Sequence, residues 1–181
     1  MAMAACTYLV TDANSYLLMA KSKVVDVKRQ VTIPKLELNG IVIGVRLSHN
    51  VLQSLRPAIG VSQLLILSDS EIAISWIKTR NQKGTGVFVE NRVKEILTTM
   101  QKIEESGSQV QIGFIDTSKN LADCGTRGIS QNEFNSHSWW TGYNLQQIRE
   151  LAQNLGCIPE DDGEELPTDV QLSQVRKQEE Y

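Results

Sequence analysis

The run Leu64-Leu65-Ile66-Leu67, cut off by Ser68-Asp69-Ser70-Glu71, constrains the fold more than any other stretch of the chain. A short continuous apolar run bounded by polar residues marks a strand covered on both faces. Helical spacing resumes at once with Ile72, Trp76 and Ile77. Asp69 is thereby placed at the carboxyl end of a buried strand, where open α/β sheets collect ligands. The segment before it agrees. From about Lys35 to Leu55, Leu38, Ile41, Val42, Val45 and Leu52 keep a helical period, while Leu36, Ile43 and Leu47 fill other faces, so this helix is expected to be largely buried. Pro34 suits its first turn. Glu37 falls in the expected first turn, with Gly40 and Gly44 on the same face. Glycines there lower helix propensity and let the helix approach a sheet closely.

Around this βα core the other patterns fall in order. Residues 7–11 and 16–21 read as two strands, joined through the turn residues Asp12, Ala13, Asn14 and Ser15. Residues 22–32 are polar and basic, with Lys21, Lys23, Lys28 and Arg29 close together. Residues 79–86 read as a loop. Val89, Val93, Ile96, Leu97, Met100 and Ile103 then form the apolar stripe of a long amphipathic helix over 87–105. Val110, Ile112 and Phe114 alternate with smaller or polar residues, as a half-buried strand does. Asp123 lies in the polar stretch 116–128, and residues 144–155 have room for a short helix.

With 181 residues, 41% of them hydrophobic, the chain suits one domain plus a tail. The net charge of −3 conceals two parts: residues 1–128 hold 15 Lys and Arg against 11 Asp and Glu, and residues 129–181 hold 3 against 10. A mildly basic domain followed by an acidic tail admits a polyanionic partner. The tail from Pro159 is acidic and poor in large apolar residues, so disorder is expected there. No apolar run is long enough to span a bilayer, and the first residues lack the basic and apolar regions of a secretory signal. Cys6, Cys124 and Cys157 are widely spaced, which argues against a disulfide framework or zinc site and for a reducing, intracellular compartment. His49 and His137, the two histidines, are too few for a histidine-rich metal site.

The ordered wording of the chain resembles the RNase H-like domain of BEL/Pao-type retrotransposon polyproteins. The resemblance is carried by Ala20-Lys21-Ser22-Lys23-Val24, Thr32-Ile33-Pro34-Lys35-Leu36-Glu37-Leu38 and Ser68-Asp69-Ser70-Glu71 with Trp76-Ile77-Lys78. It continues in Phe88-Val89-Glu90-Asn91-Arg92-Val93, in 120–128, where Asn-Leu-Ala-Asp123 leads into Cys-Gly-Thr-Arg-Gly, and in Ser138-Trp139-Trp140-Thr141-Gly142. It implies an α/β fold with an RNase H-like mixed sheet flanked by helices. It also implies cleavage of the RNA strand of RNA–DNA hybrids with two Mg²⁺ (or Mn²⁺) ions, and Glu37, Asp69 and Asp123 as catalytic and metal-binding carboxylates. Hard cations of this kind take oxygen ligands, and two of them about 3.5–4 Å apart can align an attacking water with a leaving oxygen. The partners implied are nucleic acid and the reverse transcriptase and integrase regions of a parent polyprotein, with no membrane. The compartment implied is the cytoplasm, a retroelement particle or the nucleus.

Against that pattern the chain lacks a first strand bearing a fourth acid, since Asp12 reads as a turn residue. The domain is therefore expected over 1–128, incomplete at its N-terminus and weak or inactive as a nuclease. A C-terminal extension with the paired tryptophans follows over 129–158, and the acidic tail over 159–181. No histidine lies near Phe114-Ile115-Asp116, so none is assigned a role in turnover. Structural roles compete at each acid: Glu37 as a first-turn helix residue, Asp69 and Asp123 as caps. Trp139 and Trp140 are expected to pack over the domain edge, and Lys21, Lys23, Lys28 and Arg29 to form a solvated face. A non-catalytic module binding nucleic acid or protein is the competing function. A small-molecule α/β domain is disfavoured because no glycine-rich phosphate loop follows a strand.

Overall fold

The computed structural model describes residues 2–25, 31–80 and 84–156. The expected acidic tail, Cys157, Lys28 and Arg29 lie outside these residues. Two strands, β1 (Ala2–Val10) and β2 (Ser15–Val24), form the expected hairpin, each longer than its apolar pattern suggested. Its turn is closed by the Thr11 amide donating to the Asn14 carbonyl at 2.8 Å, with the Thr11 hydroxyl accepting from the Asn14 amide at 3.0 Å. Asp12 is exposed in this turn, as read from the sequence.

Helix α1 (Ile33–Leu55) follows, then β3 (Gln63–Ser68), α2 (Glu71–Thr79), α3 (Val87–Glu105) and β4 (Gln109–Phe114). The chain ends its described part with three short helices, α4 (Cys124–Arg127), α5 (Ser138–Thr141) and α6 (Leu145–Leu151), and with β5 (Gln153–Gly156). Strand β3 pairs parallel to β4, and β5 joins β4 antiparallel. The helix expected over 144–155 therefore stops at Leu151, and its last residues become a strand. Gly113 makes this possible: a β-carbon there would stand 2.8 Å from Leu155 Cδ2.

Helix α1 is buried on two sides because it is apolar around most of its surface. Leu38, Ile41, Val42 and Val45 pack into one core with Ile77, Val89, Ile96 and Ile112 from α2, α3 and β4. Leu36, Leu47 and Val51 are buried outside that cluster. On the hairpin side Ser48 meets Thr7 at 3.3 Å, and a β-carbon on Gly44 would lie 3.6 Å from Ala5 Cβ. Arg46 of α1 is paired with Glu95 of α3, which tethers the two long helices.

The described strands make a mixed α/β fold, yet they divide into two sheets, β1-β2 and β3-β4-β5. Among the described residues β1 and β3 each lack a strand partner on one side. Between them lies a slot of about 730 Å³, lined by all of β1 and β3 and floored by α1. This explains a departure from expectation at β3. Only Ile66 and Ser68 are buried, whereas Leu64, Leu65 and Leu67 are half-buried walls of the slot.

Candidate functional site

One end of this slot is built by the residues that end β3. Ser68 is buried and its hydroxyl accepts from the Ser70 amide at 3.2 Å. The Ser70 hydroxyl in turn caps α2 by accepting from the Ala73 amide at 3.2 Å. Capping of α2 thus falls to Ser70, and the carboxylate of Asp69 is left for other partners. Its Oδ1 accepts from Asn120 Nδ2 at 3.1 Å. Asn120 is itself fixed, because its Oδ1 accepts from the Ala122 amide at 3.1 Å and caps a 3-10 turn at Leu121–Asp123. The carboxyl end of β3 is so clamped to the segment that carries Asp123.

Asp123 occupies the capping position of α4 but makes no capping bond with its side chain. Instead Oδ2 pairs with Arg127 Nη2 at 3.2 Å. Burial raises its carboxyl above the usual carboxylate range; Arg127 opposes this and the charge of Asp69 adds to it. Glu37 lines the same slot from α1. Because α1 begins at Ile33, two residues earlier than read from the sequence, Glu37 stands in the second turn, and the first turn holds no acid. The helix-dipole role considered for Glu37 loses its basis there.

Three acids thus line one slot. Among the described residues, however, no group of three or more Asp, Glu, His or Cys is gathered closely enough to hold a metal ion. The donor chemistry suits a hard divalent cation, since all three acids offer oxygen. The unfavourable charge at Asp123 is the kind that such a cation would offset.

Asn120 is the residue that the sequence did not single out. Its signal was an Asn one residue ahead of a short helical turn, which reads as an ordinary cap. His137, unassigned from sequence, accepts from the Trp139 amide at 3.0 Å and lies 3.6 Å from Cys124 Sγ. The Tyr8 hydroxyl donates to the Trp139 carbonyl at 2.6 Å, and Trp139 stacks edge-on against Trp140 at 4.6 Å. The Trp139 backbone is thereby tied to the hairpin, while Trp140 remains exposed. Burial pushes the Cys6 thiol up to about 11 and raises that of Cys124, so both are poor nucleophiles at neutral pH.

Gly125 sets how closely the Asp123 segment approaches β1. A β-carbon at Gly125 would stand 2.6 Å from Ala4 Cβ, with no flexible side chain to yield. Gly125→Ala is expected to destabilise the chain by about 1–3 kcal/mol, read as a lower midpoint in urea unfolding at unchanged slope.

Residues 1–70 match the family model described as the Pao retrotransposon-like RNaseH-like domain. The fold is accordingly an RNase H-like α/β domain. Over these residues, fewer than half of the chain, it is similar to the Pao retrotransposon type of that class. The match takes in Glu37 and Asp69 and stops short of Asp123. No match was found among curated proteins or among solved structures. Among the described residues no helix is long and apolar enough to cross a membrane.

Proposed function

We propose that this retroelement RNase H-like module engages RNA–DNA hybrids and holds divalent cations through Asp69 and Asp123, with Glu37 as the third ligand. The carrying observation is that Glu37, Asp123 and Asp69, the last tied through Asn120 to the segment that bears Asp123, all line one slot. Bound Mg²⁺ or Mn²⁺ would supply charge neutralisation and in-line placement of water and leaving oxygen on the RNA strand. The chain's own contribution is positioning. Asn120 fixes the Asp69 carboxylate, and Arg127 holds that of Asp123. Lys119 and Arg127, exposed at the slot, are placed to meet a phosphate backbone. Reverse transcriptase and integrase regions of a parent polyprotein are the expected protein partners.

A second reading, a non-catalytic module that binds nucleic acid or protein, is favoured by the absence of a gathered three-acid group among the described residues. The two readings part in one experiment. The full chain is mixed with a short hybrid labelled on its RNA strand, with and without Mn²⁺. The nuclease reading expects cleavage that requires the metal, is slow in this chain, and disappears in Asp69→Asn. Salt-sensitive hybrid binding with no metal-dependent cleavage at any Mn²⁺ concentration would replace it with the second reading.

A further inference from the structure

Of the three acids that line the slot, Asp123 alone has an ion pair among the described residues. Its Oδ2 meets Arg127 Nη2 at 3.2 Å, whereas Asp69 is held by the neutral carboxamide of Asn120. The sequence builds this pair locally. Arg127 follows Asp123 by four residues and closes α4, and Gly128 caps the helix directly after it. An acid one turn ahead of a base is the favourable order for such a pair. The two partners differ in exposure: the Arg127 side chain is 73% exposed and that of Asp123 29%. The guanidinium can therefore turn away to water or to a phosphate while the carboxylate stays at the slot.

Two demands meet in this pair. A divalent cation is attracted by the Asp123 charge, which Arg127 partly offsets, and it is repelled by a guanidinium this close to the same oxygen. A phosphate of a bound strand is attracted by the guanidinium, whose forked donors fit phosphate as they fit carboxylate. One guanidinium cannot serve both partners in full. Turned to a phosphate, Arg127 leaves Asp123 uncompensated and open to a cation.

We propose that Arg127 is a stand-in cation at this site, a positioning residue that neutralises Asp123 in the metal-free chain and is drawn off by the phosphate backbone of a bound strand. The inference rests on the nuclease reading of the slot and adds to it a coupling between strand and metal. Such coupling is reciprocal, so each ligand tightens the other by the same factor.

The test follows Mn²⁺ binding to the full chain by the paramagnetic resonance of the free ion, in about 0.05 M and about 0.5 M KCl. Arg127→Gln is expected to bind Mn²⁺ about three- to tenfold more tightly at the lower salt. Arg127→Lys keeps a cation within reach and is expected to bind as the unaltered chain does. The gain in Arg127→Gln should shrink at the higher salt, because exposed charges are screened there. A purely structural role for Arg127 would give neither the gain nor its salt dependence. The exchange with phosphate is read separately, with metal removed by EDTA and a fluorescent RNA–DNA hybrid as probe. Asp123→Asn is expected to bind the hybrid about threefold or more tightly, and adding Arg127→Gln should remove most of that gain. Additive effects in this cycle would overturn the proposal. Equal or weaker Mn²⁺ binding by Arg127→Gln, with Asp69→Asn still impaired, would also overturn it and leave the nuclease reading standing. Mn²⁺ binding that neither Asp69→Asn nor Asp123→Asn weakens would overturn both.

Discussion

Asp123→Asn is expected to raise or leave unchanged the thermal stability of the metal-free chain while weakening Mn²⁺ binding about tenfold or more. The two directions follow from one environment. The Asp123 carboxyl is held above its usual range chiefly by burial, with the Asp69 charge adding to it. A carboxyl raised on folding binds its proton more tightly in the folded state than in the unfolded one. Above the raised value, its ionised form opposes folding in full. As pH falls through that raised value toward the ordinary carboxylate value, the opposition fades. At neutral pH the asparagine removes the opposition. The Arg127 pair that is lost is an exposed contact within one helical turn, worth only about 0.3–0.5 kcal/mol. A bound cation acts in the other direction by offsetting both aspartates, and binding to the folded state alone stabilises by about 2.7 kcal/mol at a hundredfold excess over Kd. Mn²⁺ should therefore raise the melting temperature of the unaltered chain and leave that of Asp123→Asn nearly unmoved. Calorimetric scans at neutral pH, with and without the metal, read both effects. A variant that is less stable without metal and equally responsive to it would show that Asp123 serves structure alone.

The residues differ in how much of this could be read in advance. Helix α3 was legible to its ends, because a six-residue apolar stripe on an otherwise charged helix admits one register. The hairpin was legible from its turn chemistry. The place of Asp69 was legible because an apolar run ended beside it, and the actual cap, Ser70, lay one residue further on. Strand β5 was not legible: Gln153-Asn154-Leu155-Gly156 has no alternating pattern, and its place depends on a glycine forty residues earlier. The slot was not legible either. Whether Leu64, Leu65 and Leu67 are covered on both faces depends on which strand lies beside β3, and pairing between distant strands leaves little trace in either one. The Asp69–Asn120 bond spans 51 residues and is decided by the same distant packing.

Leu38→Ala is expected to cost about 2–5 kcal/mol of stability. Leu38 is fully buried on α1, within the core that also holds Val89 and Ile96 of α3 and Ile112 of β4. Truncation removes the apolar area that the side chain takes from water and leaves a cavity that its neighbours fill at most in part. The neighbouring residues Ile41, Val42 and Val45 keep α1 in place, so partial relaxation sets the cost within that range. For a domain of this size the midpoint of melting should fall by roughly 5–15 °C. The position has a second consequence, because Glu37 is carried by the same turn of α1. If α1 tilts to fill the cavity, Glu37 moves relative to the slot, and Mn²⁺ binding at low temperature weakens although the three acids proposed to hold the metal are untouched. If the cavity stays open, stability falls and metal binding does not change. Equilibrium unfolding in urea and Mn²⁺ titration on the same variant separate these outcomes. A loss below about 1 kcal/mol would mean that α1 is not anchored through Leu38.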